Sequence, residues 1–345
     1  MRSILEFCII KVSLRAKRSN LLKTASSLAL FVMFSLSGCS FQPYHKEARL
    51  MLGTIVEITC QDRAAITSAF EEIKKIETIA NNFNPDSEIS RLNAAGKIQA
   101  SQDLYNMVRE SLKYCRLSEG AFDITIAPLV TIWKGKIREF ENKKSSLYQG
   151  EAGRGESRGL TLPAESQIKK ALSLVGSDKI SLDDNSSYIS LTQSGMSIDL
   201  GAIAKGYAVD KAVRRLKESG VRSALVNAGG NVYCLGKKGS RKWRVGVRHP
   251  RKPAEIVFYL NLENQGAATS GDYEQFFILD KKRYSHIINP KTGWPVDNNI
   301  SSVTIIAPDA ATSDGLSTTV FVLGKEKGLE LAGKMEGVEV KIIEN

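Results

Sequence analysis

The chain has 345 residues, 42% of them hydrophobic and 25% charged, which are ordinary proportions for a folded globular protein. Its formal charge is +11 and falls to +6 (42 basic against 36 acidic residues) once residues 1–38 are set aside. No Lys/Arg block follows that segment, so nucleic-acid binding is not indicated, and the length fits one large or two small domains.

The first forty residues differ from the rest. Arg15, Lys17, Arg18 and Lys23 precede an apolar run over 28–36, followed by Leu36-Ser37-Gly38-Cys39. A basic region before a short apolar stretch is the pattern of a signal peptide, too short for a lasting transmembrane helix. Small residues before a cysteine resemble the bacterial lipobox. The expectation is therefore a signal peptide over 1–38, a lipid on Cys39 and a tether over 39–48. A plain signal peptide with an incidental Cys39 is the alternative. Past Cys39 stand Cys60, Cys115 and Cys234, with no CxxC pair and no metal spacing, so neither zinc nor a cysteine nucleophile is indicated.

In chain order, residues 53–60 (GTIVEITC) read as a strand. Residues 64–80 place Ile66, Ala69, Phe70, Ile73, Ile76 and Ile79 at helical spacing. A polar turn region covers 83–93. A second helix runs from Ser101 to a stop at Gly120, and GAFDITIAPLV (120–130) is Gly-led and then apolar. Residues 141–160 are rich in Gly, Ser and charge and read as a mobile surface insertion.

A short helix (166–175) and two short strands lead to SIDLGAIAKGYAVDKAVRRLKESG (197–220), read as a strand ending at Asp199-Leu200-Gly201 and then a helix stopped by Gly220. SALVNAGGN and a series of short alternating runs follow. A strand is expected at 303–307, before Asp309 as candidate N-cap and a helix. Strands run consecutively in places, which predicts an α+β fold, not a doubly wound sheet, over residues 49–345.

Three glycine-bearing stretches end strand-like runs: Asp199-Leu200-Gly201, Asn227 to Asn231, and Thr269-Ser270-Gly271-Asp272. Glycine lets backbone N–H groups approach an anion, and a following helix N-terminus adds positive potential. Lys205 lies one turn into such a helix. Asp314 and Thr318 are four residues apart and share a helix face, where a carboxylate and a hydroxyl make a hard-oxygen pair suited to Mg²⁺ beside phosphate. Carboxylates near the positive helix end and a packing Thr318 would look the same. Of three histidines, only His286 sits in an apolar, turn-bounded context.

The ordered set FNPDSEISRLN, GAFDITIAPLV, DLGAIAKGYAVD, NAGGN, ATSGDY, HIINPKTGWPV and APDAATSDGLSTTVFVLG, spanning about 52–324, resembles the ApbE family of lipoprotein flavin transferases. The resemblance implies a two-lobed α+β fold with mixed or antiparallel sheets and flanking helices. It implies transfer of the FMN part of FAD to a threonine or serine hydroxyl of an acceptor protein, with AMP released and Mg²⁺ required. By motif position Leu52, Phe83, Ala121, Phe122, Asp123, Asp199 and Lys205 would contact FAD. The Ala202 carbonyl, Asp314 and Thr318 would hold Mg²⁺, and His286 or Asp272 would take the hydroxyl proton.

Leu52 stands where the family more often has methionine, and Asn289 where it more often has aspartate. A membrane electron-transport subunit is the implied acceptor, and the periplasmic side of a bacterial membrane the implied location, with lipid anchoring at the inner membrane favoured. Two other readings keep the same ligand: a Mg²⁺-dependent hydrolase giving FMN and AMP, and a non-catalytic FAD-binding lipoprotein.

Overall fold

The computed structural model describes residues 43–149 and 161–345. The signal segment, Cys39 and residues 150–160 lie outside the described residues. The chain enters a hairpin of β1 (His45–Met51) and β2 (Thr54–Cys60) whose two linking residues, Leu52 and Gly53, both have positive φ, 53° and 68°. That conformation gives a two-residue hairpin the twist its strands require.

Helix α1 (Arg63–Ala80) follows, capped by the Asp62 carboxylate, which accepts from the Ala64 and Ala65 amides. Its apolar stripe is buried as the spacing predicts. The region expected to be a polar turn contains α2 (Glu88–Ala95). Ser87 caps its start and Gly96, in the left-handed conformation, ends it, so local capping at both ends secures two turns that weak periodicity hid.

Next come β3 (Lys97–Gln99) and α3 (Gln102–Leu117), which starts where expected, with Ser101 as its cap. The Gly-led apolar stretch forms no strand. A short 3-10 turn (Ile124–Ile126) runs into α4 (Ala127–Gln149), so the segment taken as an insertion from 141 begins as helix. Then α5 (Glu165–Leu172), β4 (Ile180–Asp183) and β5 (Tyr188–Leu191) lead to residues 196–200, which are irregular and not the strand expected there. The Asp199 amide donates to the Ile124 carbonyl at 2.8 Å.

The remainder is α6 (Ala204–Glu218), β6 (Ala224–Ala228), β7 (Asn231–Leu235), β8 (Trp243–Arg248), β9 (Ile256–Leu262), β10 (Gln265–Gly271), β11 (Phe276–Leu279), β12 (Lys282–Ser285), β13 (Ile300–Ala307), α7 (Ala310–Leu323), α8 (Lys325–Gly333) and β14 (Glu339–Glu344). A seven-stranded sheet in the order β1-β2-β6-β7-β10-β13-β14 is antiparallel at every pairing. Successive side chains on a strand face opposite sides, and both faces of this sheet are covered at its centre. Tyr233, Leu235, Val303 and Ile305 join the main core with α1, α6 and α7, whereas Val232, Cys234 and Ile306 pack under the β8–β9 hairpin with Trp243 and Leu260.

A separate cluster gathers Leu129, Trp133, Ile168, Phe277 and Ile288. Trp133 stacks with Tyr284 at 6.1 Å between ring centroids and donates from Nε1 to the Gly293 carbonyl at 2.9 Å. This cluster fixes the 286–295 segment. Residues 42–345 pack as one compact unit. Cys60, Cys115 and Cys234 are buried free thiols, and burial pushes those of Cys115 and Cys234 up to about 12, which makes them inert.

Candidate functional site

Helices α6 and α7 meet at a glycine. A Cβ on Gly206 would collide with the Ala310 carbonyl, so only glycine permits this approach. The contact brings the Gly206 amide to Asp314, donating to Oδ2 at 2.9 Å. Asp210, one turn further along α6, accepts from the Ala310 and Ala311 amides, both at 2.8 Å, while Asp309 accepts from Thr312 at 2.7 Å. Two carboxylates therefore satisfy the free amides at the start of α7. Asp210 was not singled out from sequence, although it closes the GYAVD motif.

Asp314 is 4% exposed, and its Oδ1 faces Lys205 Nζ at 3.7 Å. Lys205 also donates to the Gly201 carbonyl at 2.9 Å, which places the Gly201-Ala202-Ile203 turn beside the carboxylate. One turn along α7, Thr318 Oγ1 lies 3.2 Å from Ser270 Oγ at the end of β10, and Ser270 Oγ lies 2.8 Å from Ser317 Oγ. Asp314, Thr318, Lys205 and the turn carrying Ala202 thus come together. Among the described residues no group of three or more His, Cys, Asp or Glu could cage a metal ion. One buried carboxylate and a hydroxyl suit a cation that keeps most of its coordination shell for water and phosphate oxygens, as Mg²⁺ does.

Asp199 accepts from the Gly201 amide at 2.6 Å and pairs with Lys134 at 3.7 Å. Lys134, on α4, also lies 5.8 Å from the ring centre of Phe83, with Arg138 at 5.4 Å from the same ring. Phe83 is 71% exposed, a large aromatic face left open to solvent beside two cations. Lys134 went unremarked in the sequence because a lone lysine on a helix carries no pattern.

His286 is half-buried, and its Nδ1 lies 3.2 Å from the Gln275 carbonyl. That contact places the ring proton on Nδ1 and leaves Nε2 as the basic nitrogen. Burial lowers its pKa to about 4, with Lys205 and Lys134 contributing in the same direction, so the imidazole is neutral at pH 7. Lys205, which faces Asp314, and Lys134, which pairs with Asp199, both lie within electrostatic reach of the ring.

Asp272 is committed differently. Arg251 donates to both its oxygens, at 2.6 and 2.8 Å, and Arg283 stands 3.7 Å away. Ala121 and Phe122 are buried, and Phe122 meets Tyr114 edge-on at 5.8 Å. Asp123 accepts from the amide and hydroxyl of Thr125 and from the Ser177 amide; burial pushes its carboxyl up while those bonds oppose the shift. A cleft of about 370 Å³ opens beside Asp123, lined also by Glu119, Ser177, Asp178 and Lys291. The Leu52 amide donates to Glu77 Oε1 at 2.6 Å, which leaves its side chain at the tip of the β1–β2 turn.

The three-glycine-loop expectation needs correction. Gly229 and Gly230 make a two-residue hairpin turn between β6 and β7, and Ser270-Gly271 ends a strand. Only the Asp199–Gly201 turn leads into a helix, because the other two are consumed by antiparallel pairing.

The model of the ApbE family matches residues 52–342. The chain is 30% identical over 331 residues to the FAD:protein FMN transferase of Haemophilus influenzae, covering 89% of each. It is 31% identical over 327 residues to that of Treponema pallidum, covering 87% of this chain and 84% of the relative. Among solved structures it resembles the ApbE protein of Thermotoga maritima, at 30% identity and a TM-score of 0.74, over 88% of this chain and 94% of that one. It also resembles the flavin transferase ApbE of Vibrio cholerae, at 26% identity and a TM-score of 0.72, over the same shares of the two chains.

Proposed function

The chain belongs to the ApbE family, and on that premise we propose that it is a FAD:protein FMN transferase. A threonine hydroxyl of an acceptor protein attacks the FMN-side phosphorus of FAD. A phosphoester forms there, the bond from that phosphorus to the bridging oxygen breaks, and AMP departs with that oxygen. What supports this reading is that α6 and α7 set Lys205 against Asp314 with Thr318 one turn further along the same helix, while the charge of Lys205 reaches His286. The transferred group holds its negative charge throughout, so positioning and charge neutralisation dominate over covalent chemistry.

Lys205 and Lys134 supply fixed positive charge, and Phe83 offers a planar surface beside the second of them. A Mg²⁺ ion on Asp314, Thr318 and the Ala202 carbonyl would neutralise the diphosphate when bound. The hydroxyl proton goes to His286 Nε2, which is neutral at working pH and oriented through Nδ1. Asp272 is the less available acceptor, because both its oxygens are already engaged by Arg251.

Lipidation of Cys39 would tether the enzyme on the periplasmic side of a bacterial membrane, close to a membrane electron-transport acceptor. The test is co-expression with such a subunit carrying a Ser/Thr-Gly-Ala-Thr-like segment, read by in-gel flavin fluorescence with AMP measured in parallel. Fluorescent acceptor with stoichiometric AMP is expected. Steady AMP production with no labelled acceptor would make the chain a hydrolase, and tight FAD binding without turnover would make it a carrier.

A further inference from the structure

We propose that the β7–β8 loop, together with the entry of the chain into β1, forms a surface for anionic phospholipid headgroups that holds the compact unit with its site end away from the membrane. The loop reads GKKGSRKW over 236–243, and Lys237, Lys238, Arg241 and Lys242 are all exposed. Arg222 is exposed beside them, its carbonyl packed against Gly236, whose φ of 56° is the left-handed turn glycine allows. Only Lys237 has an acidic partner among the described residues, Glu263 at 3.7 Å. Four cationic groups there are left without a counter-charge, in a patch too short to register as a basic block in sequence.

The first described segment, at Tyr44, is fastened to this loop. Tyr44 meets the Trp243 ring edge-on at 5.5 Å, and its hydroxyl lies 2.7 Å from Ser223 Oγ, which donates to the Lys237 carbonyl at 2.6 Å. Lys238 Nζ stands over both rings, at 5.6 and 5.4 Å. Five residue steps separate Tyr44 from Cys39, a reach of at most roughly 18 Å. An acyl chain on Cys39 would therefore keep the loop within contact of headgroups.

Strand register sets what faces the other way. His45, Cys60, Ala224 and Leu235 align at the loop end, whereas the Leu52-Gly53 and Gly229-Gly230 turns and Ser270 lie at the opposite end, about 20 Å along the strands. A membrane under the loop would leave the flavin site open to an incoming acceptor.

The test uses the chain from residue 40 onward, which contains the whole compact unit but no lipid. It is sedimented with vesicles of phosphatidylcholine alone or with phosphatidylglycerol added, at low and high salt. Each Lys or Arg near an anionic surface strengthens binding by about fivefold. The parent should bind only the anionic vesicles, less so at high salt. The combined variant Lys237→Gln, Lys238→Gln, Arg241→Gln and Lys242→Gln should lose at least roughly tenfold in binding while keeping its melting temperature and its flavin transfer in solution.

Equal binding by parent and variant, or no preference for anionic vesicles, would overturn the proposal. So would displacement by glycerol 3-phosphate, which would assign the loop to a small phosphate ligand. Loss of transfer to a soluble acceptor with vesicle binding intact would assign it to the acceptor instead. The vesicle-binding readouts do not depend on the flavin chemistry, so failure of binding here is distinguishable from failure of the transferase reading.

Discussion

The backbone amide of Gly206 donates to Oδ2 of Asp314 at 2.9 Å, joining positions 108 residues apart in the chain. The bond fixes one carboxylate oxygen and turns the other toward Lys205 and Thr318's end of the helix. Asp314→Asn retains an acceptor for Gly206 but removes the charge. Flavin transfer should fall by at least about 100-fold, the scale of losing one electrostatic stabiliser, with the melting temperature nearly unchanged. Transfer at the parent rate would remove Asp314 from the metal and phosphate role.

Gly206 itself should tolerate no side chain. In Gly206→Ala the new methyl meets the Ala310 carbonyl with Ala311 Cα at 2.8 Å, a clash of backbone with no flexible end to yield. Overpacking of this kind costs about 1–3 kcal/mol, and separating α6 from α7 would also move Asp314. A lowered thermal midpoint and weakened transfer should appear together. A variant as stable and active as the parent would mean that α6 and α7 do not pack this closely.

His286 sets an acid limit. Its folded pKa is about 4 against an ordinary 6.5, lowered mainly by burial. The unfolded chain binds that proton first as pH falls, so this residue's contribution to stability is present above the ordinary pKa and is lost as pH drops from 6.5 toward 4. The rate of transfer should be flat on the acid side down to about pH 5 and then fall along a limb near 4. His286→Gln should lower the rate by about 10²–10⁴ and abolish that limb. A limb at the ordinary histidine pKa would show that the ring is solvated and not held as described.

Asp272 separates structure from catalysis. Asp272→Asn would weaken a bidentate ion pair and leave Arg283, whose Nη1 has no hydrogen-bond partner among the described residues, without the carboxylate 3.7 Å away. The expected result is a loss of about 1–3 kcal/mol in stability with at most a few-fold effect on the rate in the folded fraction. A rate lost beyond about 100-fold with an unchanged melting curve would make Asp272 the general base.

Lys134→Met removes a cation from between Asp199 and Phe83 while keeping the length of the stem. FAD should bind roughly tenfold more weakly, measured by flavin fluorescence titration, with little change in the rate at saturation. An unchanged affinity would place Lys134 outside the ligand's reach.

The chain's own pattern determined a good deal. The apolar stripe of Arg63–Ala80, the helix start near Ser101, the cap at Asp309 and the four-residue spacing of Asp314 and Thr318 were legible because helical periodicity and capping are local. The order of motifs carried the family and the α+β class. What only the tertiary structure decided is how distant pieces complete one another.

Residues 197–201 read as the end of a strand, yet they pair with no strand among the described residues, and two of the three glycine turns are claimed by antiparallel neighbours. Asp272 reads as available in sequence, but Arg251 occupies both its oxygens; Lys134 carries no pattern, and Asp210 closes a motif without any mark of its role. Spacing along the chain reports which side chains share a face of one element. Ion pairs, glycine contacts and proton affinities depend on which elements meet, and that is set by burial across the whole core.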